Sequence, residues 1–323
     1  MTQAPIPEVD DRLEVPDSPE PAPSTNDGGA HDDEAVPRRQ LNRRRLIFGA
    51  IAVVLVFLIA VGAVIYGIGS LVHARDQRAL MTTERTAIAN AAILDKALDT
   101  VQLPTKPPAR GAPVGVLAIP SLSVNEVVVE GVSPSQTVSG PGHVPGTVGL
   151  GQPGNAGIVG RNAAYGAVFG RLGQLRPGDR VLTATTEGQS IYVVRRVATV
   201  PIASLEPFYR TTHTNRLTLV TSASDVPWNS GQAVVVTALL RGKPYAATPQ
   251  GRRDPSQLGN TGESGAWIEL ILSVAAFAAV TVGALYLYRR CTIRSAYLLS
   301  TAPLVAFTVL AAESISRLFP AWM

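Results

Sequence analysis

The sequence is poor in the residues that build disulfide frameworks and metal sites. Its single cysteine, Cys291, excludes an intrachain disulfide, because a disulfide needs two thiols. A zinc site needs several His or Cys ligands at short spacing, and the histidines are too far apart for that. We therefore expect no metal and no cofactor, and a fold held by packing. The four histidines are His31, His73, His143 and His213.

Charged residues are also scarce, at 16% of the chain, and the formal net charge is only +4. Acidic residues dominate the start of the chain, and a cluster of arginines follows them just before the first long apolar run. This asymmetry indicates orientation across a membrane rather than nucleic-acid binding. The arginines are Arg38, Arg39, Arg43, Arg44 and Arg45.

The first third of the chain predicts a tail, a membrane span and a stalk. Residues 1–45 are rich in Pro, Asp, Glu and Ser, which predicts a disordered tail. Residues 46–72 are apolar over a length that can cross a hydrocarbon core of roughly 30 Å as a helix, and the run is too long for a signal peptide. The arginines before it place the tail in the cytoplasm. Residues 73–113 predict a helical stalk followed by a Pro-rich linker.

The middle of the chain has the pattern of a β domain. Within residues 114–241, short runs rich in Val, Ile, Thr and Leu alternate with Gly, Pro, Asn and Asp, as VGVLAIP and AVVVTALL illustrate. This spacing favours a closed or nearly closed barrel, placed outside the cell by the orientation of the first span. Residues 242–265 are polar and contain Gly and Pro, which predicts a second linker.

Two more apolar runs follow the β domain. Residues 266–288 predict a second transmembrane helix, residues 289–294 a cytoplasmic loop, and residues 295–318 a third transmembrane helix. If the third helix crosses, Phe319 and Trp322 lie near the outer interface of the membrane.

Four motifs of the β domain, in their order and spacing, resemble the sortase family. They are VGVLAIPSLSVNEVVVEG, SGPGHVPGTVGLGQPGNAGIVGRN, FGRLGQLRPGD and RLTLVTSAS, the last of which precedes AVVVTALL. The resemblance implies an eight-stranded β-barrel at a bacterial cell surface. It also implies an activity, transpeptidation, in which a sorting signal of the LPXTG kind is cut and transferred.

The three positions that carry sortase catalysis are occupied by other residues. The resemblance implies a cysteine where Ser222 ends the LTLVTS strand, a histidine where Arg161 stands in GRN, and an arginine near Gln232. A serine needs a base before it can attack, and a guanidinium has no lone pair with which to act as one. Cys291 cannot substitute, because the predicted topology places it across the membrane from the barrel. The sequence therefore indicates a degenerate member, a pseudosortase, without a confident catalytic residue.

Three functional hypotheses follow. In the first, the barrel binds or scaffolds a peptide or a cell-envelope protein, with Arg161, Asn162, Ser222 and Gln232 as binding residues; Arg161 as a mere filler of a vacated cleft is an equal alternative. In the second, Ser222 is an active nucleophile of a surface transpeptidase or hydrolase, activated by Asp225. In the third, the chain is a subunit of a membrane complex, since three spans exceed what an anchor requires.

Overall fold

The computed structural model describes residues 38–98, 103–226, 231–254, 257–290 and 293–323. The chain has two compact units, Met1–Ala50 and Ile51–Met323. In the first unit, the described residues belong to a helix that begins at Arg38. For residues 38–45 the prediction of disorder was therefore wrong, because arginine is a good helix former and continues the apolar helix backwards. The rest of the predicted tail, and Cys291, lie outside the described residues.

The described residues form five α-helices. The helix that starts at Arg38 passes through a π-helical turn, Val64–Ile68, into the predicted stalk. Three helical stretches, Ile47–Ala97, Ala266–Tyr288 and Tyr297–Leu318, are long and apolar enough to cross a membrane. The helices are α1 (Arg38–Ala63), α2 (Gly69–Leu98), α3 (Pro134–Thr137), α4 (Ala266–Arg290) and α5 (Ile293–Leu318).

Eight strands close into a barrel in the order β1-β2-β3-β4-β7-β8-β6-β5. This confirms the predicted eight-stranded barrel. Pairs β2/β3 and β4/β7 are parallel, and the other neighbours are antiparallel. The strands are β1 (Pro113–Ile119), β2 (Val124–Glu130), β3 (Gly142–His143), β4 (Asn155–Val159), β5 (Arg180–Thr185), β6 (Gly188–Pro201), β7 (Arg216–Ser222) and β8 (Gln232–Arg241).

Two apolar clusters lie on opposite faces of the barrel wall, because side chains alternate along each strand. In β7, Leu217 and Leu219 fill the interior cluster, whereas Val220 belongs to a second cluster outside. In β4, Ile158 faces the interior and Val159 faces the second cluster. The second cluster lies at the ends of β4 and β7, where the candidate site is.

The stalk and the second linker both pack against the barrel. Gln77 of α2 donates to the carbonyl of Val127 (3.0 Å) and accepts from its N–H (2.8 Å), so that the helix side chain pairs with β2. The described part of residues 242–265 contains no helix or strand, yet it is fastened to the barrel. The backbone of Arg253 lies 2.6 Å from the position that a Cβ on Gly146 would take. Gly146 also has φ +77°. Glycine is therefore needed there both because a Cβ would clash with Arg253 and because other residues rarely adopt this φ.

A buried ion pair joins β2 to β3. The Nδ1 of His143 lies 2.7 Å from Oε2 of Glu130, and its Nε2 lies 2.9 Å from the carbonyl of Val148. Both ring nitrogens thus face acceptors, which suits a doubly protonated imidazolium. Burial works against that charge, but the hydrogen bond and negative charge of Glu130 outweigh it and raise the pKa of His143 above its ordinary value. His143 therefore has a structural role in joining β2 to β3.

Candidate functional site

The parallel register of β4 and β7 brings Arg161 and Ser222 to neighbouring positions. The last paired residues are Val159 and Val220, and the contact continues through Gly160, whose N–H donates to the carbonyl of Val220 (3.0 Å). Arg161 and Ser222 are each two residues beyond that pair. The twofold alternation of a strand then places both on the face of the second apolar cluster.

Arg161 is buried and donates to backbone carbonyls from two distant parts of the chain. Its Nη1 donates to the carbonyl of Met323 (2.9 Å) and its Nη2 to the carbonyl of Pro134 (2.8 Å). The guanidinium also lies over the ring of Tyr165, 4.8 Å from its centre. Burial lowers the pKa of Arg161 to about 10, so it stays charged at neutral pH. A buried guanidinium in this setting binds oxygen atoms and exchanges no protons.

Ser222 has its hydroxyl engaged in a local turn. The hydroxyl donates to the carbonyl of Ser224 (2.8 Å) and accepts from the N–H of the same residue (3.1 Å). Asp225, the predicted activating base, instead accepts a hydrogen bond from the side-chain amide of Asn162 (2.6 Å). His213 is exposed in the loop before β7. Among the described residues, no acidic or histidine side chain is hydrogen-bonded to Ser222.

Gln232 does not join the other predicted site residues. Its carbonyl accepts from the N–H of Ala223 (3.0 Å), and its side chain is exposed. The residue paired with Ser222 is Ala233, which is buried in the second cluster. Since alternate residues of a strand face opposite sides, the neighbour of Ala233 points away from the site. The structure therefore brings together Arg161, Asn162 and Ser222, and leaves Gln232 out.

The residues after α5 are the part of the site that the sequence did not predict. Trp322 is fully buried against the second cluster, and its carbonyl accepts from the N–H of Asn162 (2.8 Å). The carbonyl of Ala321 accepts from the hydroxyl of Thr137 (2.7 Å). The sequence placed Trp322 near the outer membrane interface but gave no indication that its indole packs against the barrel; the position relative to the membrane stays a prediction. The one signal in the sequence was an aromatic-rich stretch beyond the last span.

A comparison with known proteins identifies the barrel. The profile of the family described as "Sortase domain" matches residues 117–240, which run from β1 to β8. The barrel is a sortase domain. No curated protein matches the chain significantly.

Solved sortase structures resemble the chain over about half of its length or less. Sortase D5 of Clostridium perfringens, described as a transpeptidase, is 18% identical, with 52% of this chain and 99% of that chain covered and a TM-score of 0.44. Sortase E of Streptomyces avermitilis is 26% identical, with coverages of 42% and 93% and a TM-score of 0.37. Sortase A of Listeria monocytogenes is 22% identical, with coverages of 40% and 88% and a TM-score of 0.37.

On this sortase domain, the two neighbouring positions have different surroundings. Ser222 lines a small open cavity of about 160 Å³, together with Asn162 and Asp225. Arg161 is only 2% exposed and is covered by residues that follow α5. Ser222, itself only 1% exposed, therefore borders a small cavity, whereas the Arg161 side is occupied by a segment of the same chain.

Proposed function

We propose that this protein is a membrane-anchored pseudosortase that binds or scaffolds an extended peptide and does not cut it. The observation that supports the proposal is the pair of hydrogen bonds from Arg161 to the backbone carbonyls of Pro134 and Met323. Fixed donors that receive carbonyl oxygens are the means by which proteins hold extended chains. The guanidinium donors of Arg161 do not accept or release a proton as general acid–base catalysis of peptide cleavage requires.

Among the described residues, the site does not assemble the base and oxyanion donors that acyl transfer needs. Ser222 donates its proton to a carbonyl that is not a base, and Asp225 is held by Asn162. The charged donor expected near Gln232 for a developing oxyanion is absent, and removal of such donors commonly costs about 3 kcal/mol. The missing base at Ser222 and the missing charged donor near Gln232 support a peptide-binding role over catalytic cleavage of a peptide.

We place the sortase domain outside the cell. Arginines precede the first apolar span at the start of α1, and others stand at the end of α4 (Arg289, Arg290) and the start of α5 (Arg294). The positive-inside rule assigns these ends of the spans to the cytoplasmic side. The barrel follows α2 on the opposite side. Its partner in this position is a peptide or a protein of the cell envelope.

A second candidate function, a hydrolase or transpeptidase that uses Ser222, rests on the open cavity at that residue. We expect a fluorophosphonate probe, which labels activated serines, to leave the full chain in membranes unlabelled, because Ser222 has no base. The matched variant Ser222→Ala should give the same blank result, with a known serine hydrolase added to the same membranes as positive control. Labelling that disappears in Ser222→Ala establishes the hydrolase instead.

Peptide binding should depend on Arg161. The full chain in nanodiscs is titrated into fluorescein-labelled extended peptides, and anisotropy is followed. For any peptide that binds, we expect Arg161→Gln to weaken affinity on the order of tenfold, since a hydrogen bond from a charged group contributes about 1.5 to 3 kcal/mol. Arg180→Gln, an exposed arginine on β5, serves as the matched control. Equal affinities in the Arg161 variant and the unaltered chain contradict the proposal.

A further inference from the structure

A cavity of about 330 Å³ lies at the end of the barrel that is remote from Ser222, between α2, the Pro-rich linker, the turn that joins β5 to β6, and the second linker. Strand β8 runs between the two ends: near its start Ala233 pairs with Ser222. At its other end Arg241 pairs with Ile191, near the start of β6. The volume falls within the range of roughly 300 to 1,000 Å³ that is typical of small-ligand pockets. The cavity is therefore a second candidate site, separate from the one at Arg161.

The second linker forms a fixed wall of this cavity. Nε2 of Gln152, in the loop between β3 and β4, donates to the hydroxyl of Thr248 (2.7 Å), and Oε1 of Gln152 accepts from the N–H of Thr248 (3.2 Å). The N–H of Tyr245 donates to the carbonyl of Gly151 (2.9 Å). These bonds hold the linker against the barrel, and most of the cavity lining is apolar. The apolar lining residues include Ala87, Pro108, Pro113, Val114, Leu150 and Pro249.

One face of α2 carries three buried polar residues, and two of them are paired with the barrel. His73, Gln77 and Glu84 share this face, because the spacings between them are close to whole numbers of 3.6-residue turns. A ring nitrogen of His73 lies 2.9 Å from the carbonyl oxygen of Val138, and Gln77 pairs with the backbone of Val127. Glu84 is only 5% exposed and lines the cavity, yet it has no hydrogen bond or ion pair among the described residues. Its carboxyl group therefore faces the cavity without a partner.

A second carboxylate lines the cavity from the barrel side. Glu187 lies in the turn between β5 and β6, and its Oε2 accepts from the hydroxyl of Thr185 (2.6 Å). Glu187 is close enough to Glu84 for the two negative charges to repel each other. A buried charge is costly unless an opposite charge or hydrogen-bond donors compensate it. The two carboxylates therefore favour a cation between α2 and this turn.

The other charged groups around the cavity do not compensate these two carboxylates. Glu130 also lines the cavity, but its charge is already met by Nδ1 of His143 at 2.7 Å. Lys106 of the Pro-rich linker borders the cavity, is exposed, and forms no ion pair in the part of the chain that the structure describes. The negative charge of Glu84 and Glu187 is thus left for a ligand.

We propose that this cavity binds a primary ammonium group on an aliphatic stem, the chemistry that a lysine side chain and an alkylamine share. The ammonium lies between Glu84 and Glu187 and donates to both carboxylates, while the stem packs on the apolar lining, as the stems of lysine side chains commonly do. An ammonium has three donors in different directions, which suits two carboxylates on separate elements better than the flat fork of a guanidinium does. The proposal does not rest on peptide binding at Arg161.

Saturation-transfer NMR on the full chain in nanodiscs tests the proposal, with empty nanodiscs as the blank for binding to lipid. The probe is Nα-acetyl-lysine N-methylamide, and its matched control is the norleucine analogue, which has the same stem without the ammonium. We expect the lysine probe to bind on the order of tenfold more tightly than the control, because only the probe forms charge-assisted hydrogen bonds.

A third compound distinguishes the two sources of the ammonium group. n-Pentylamine has the same stem without a peptide backbone. If it binds as tightly as the lysine probe, the cavity takes a free amine. If it binds much more weakly, the cavity takes a lysine of a peptide or a protein. Both results support the proposed site.

Variants locate the binding. Glu84→Gln and Glu187→Gln keep the shape of each side chain and remove its charge, so each should weaken the lysine probe on the order of tenfold. Glu206→Gln removes a carboxylate that does not line the cavity, and it should bind the probe as the unaltered chain does. Because Glu84 has no partner among the described residues, Glu84→Gln should unfold at the same urea concentration as the unaltered chain or at a higher one. If it fails to fold, Glu187→Gln provides the same test.

Three results would overturn the proposal. They are equal binding of the lysine and norleucine compounds, unchanged affinity in the Glu84 and Glu187 variants, and no binding of any compound, which would leave the cavity to water. None of them bears on peptide binding at Arg161, which the anisotropy of Arg161→Gln measures separately.

Discussion

Replacing Glu130 with leucine should lower the free energy of unfolding of the sortase domain by about 3 to 5 kcal/mol, the usual cost of leaving one partner of a buried ion pair alone. Leucine has a similar volume, so the effect arises from His143, whose Nδ1 would lose its acceptor at 2.7 Å. Pulse proteolysis in increasing urea, on the full chain in detergent, measures the change. Glu130→Gln is the matched control, because its amide oxygen still accepts from the imidazole, and it should cost only about 1 kcal/mol.

The same pair predicts a pH dependence with a definite sign. Because Glu130 raises the pKa of His143 in the folded state, the protonated ring stabilises the fold. This contribution is complete below the pKa of an unfolded histidine, about 6.5, and is lost as pH rises through the raised folded value. The stability difference between the unaltered chain and Glu130→Gln should therefore shrink as the pH is raised from about 6 to about 9. A difference that stays constant or grows over this range would contradict a raised pKa of His143 in the fold.

Truncating Trp322 should be as costly as breaking the ion pair. Trp322→Ala removes a fully buried indole from the second apolar cluster, and large-to-small changes of this kind cost about 3 to 5 kcal/mol. The measurement is again urea-dependent proteolysis of the full chain. Trp322→Phe should cost much less, because it keeps most of the packing and removes an indole N–H that has no hydrogen-bond partner in the part of the chain that the structure describes.

A small effect of Trp322→Ala would carry its own information. It would mean that the second apolar cluster closes over the vacated space or that residues 319–323 contribute little to the stability of the fold. If, in addition, Trp322→Ala and Trp322→Phe are equally stable, residues 319–323 do not pack on the barrel as described.

Sequence patterns were sufficient for the fold because they depend on local periodicity. The apolar runs before and after the β domain are long enough to predict membrane spans. The described residues contain three helical stretches that are long and apolar enough to cross a membrane. The alternating strands and their turn residues, with the resemblance to sortases, predicted the closed barrel and the ends of β4 and β7. The motifs located Ser222, which ends β7, and Arg161 and Asn162, which follow the end of β4 at Val159.

The sequence did not predict the register of β7 and β8, nor the packing of the stalk and the second linker on the barrel. The resemblance placed the family's arginine position only near Gln232, and a shift of one residue in a strand moves a side chain to the opposite face. Ala233 occupies the position across from Ser222. The sequence did not predict that the stalk packs on the barrel, because no local pattern indicates that Gln77 pairs with Val127. Likewise, the second linker is polar and irregular, and only contacts such as that of Arg253 with Gly146 show that it is fastened down.

The sequence by itself determined the apolar stretches long enough to cross a membrane, the barrel class and the absence of the sortase cysteine, histidine and arginine from their motifs, because composition and residue identity settle those points. Only the tertiary structure decided what Arg161 does. Its charge is directed at carbonyl groups from residues far away in the chain, Pro134 and Met323. Such pairings depend on the closure of the whole barrel and the return of α5 to it, and no local pattern encodes them.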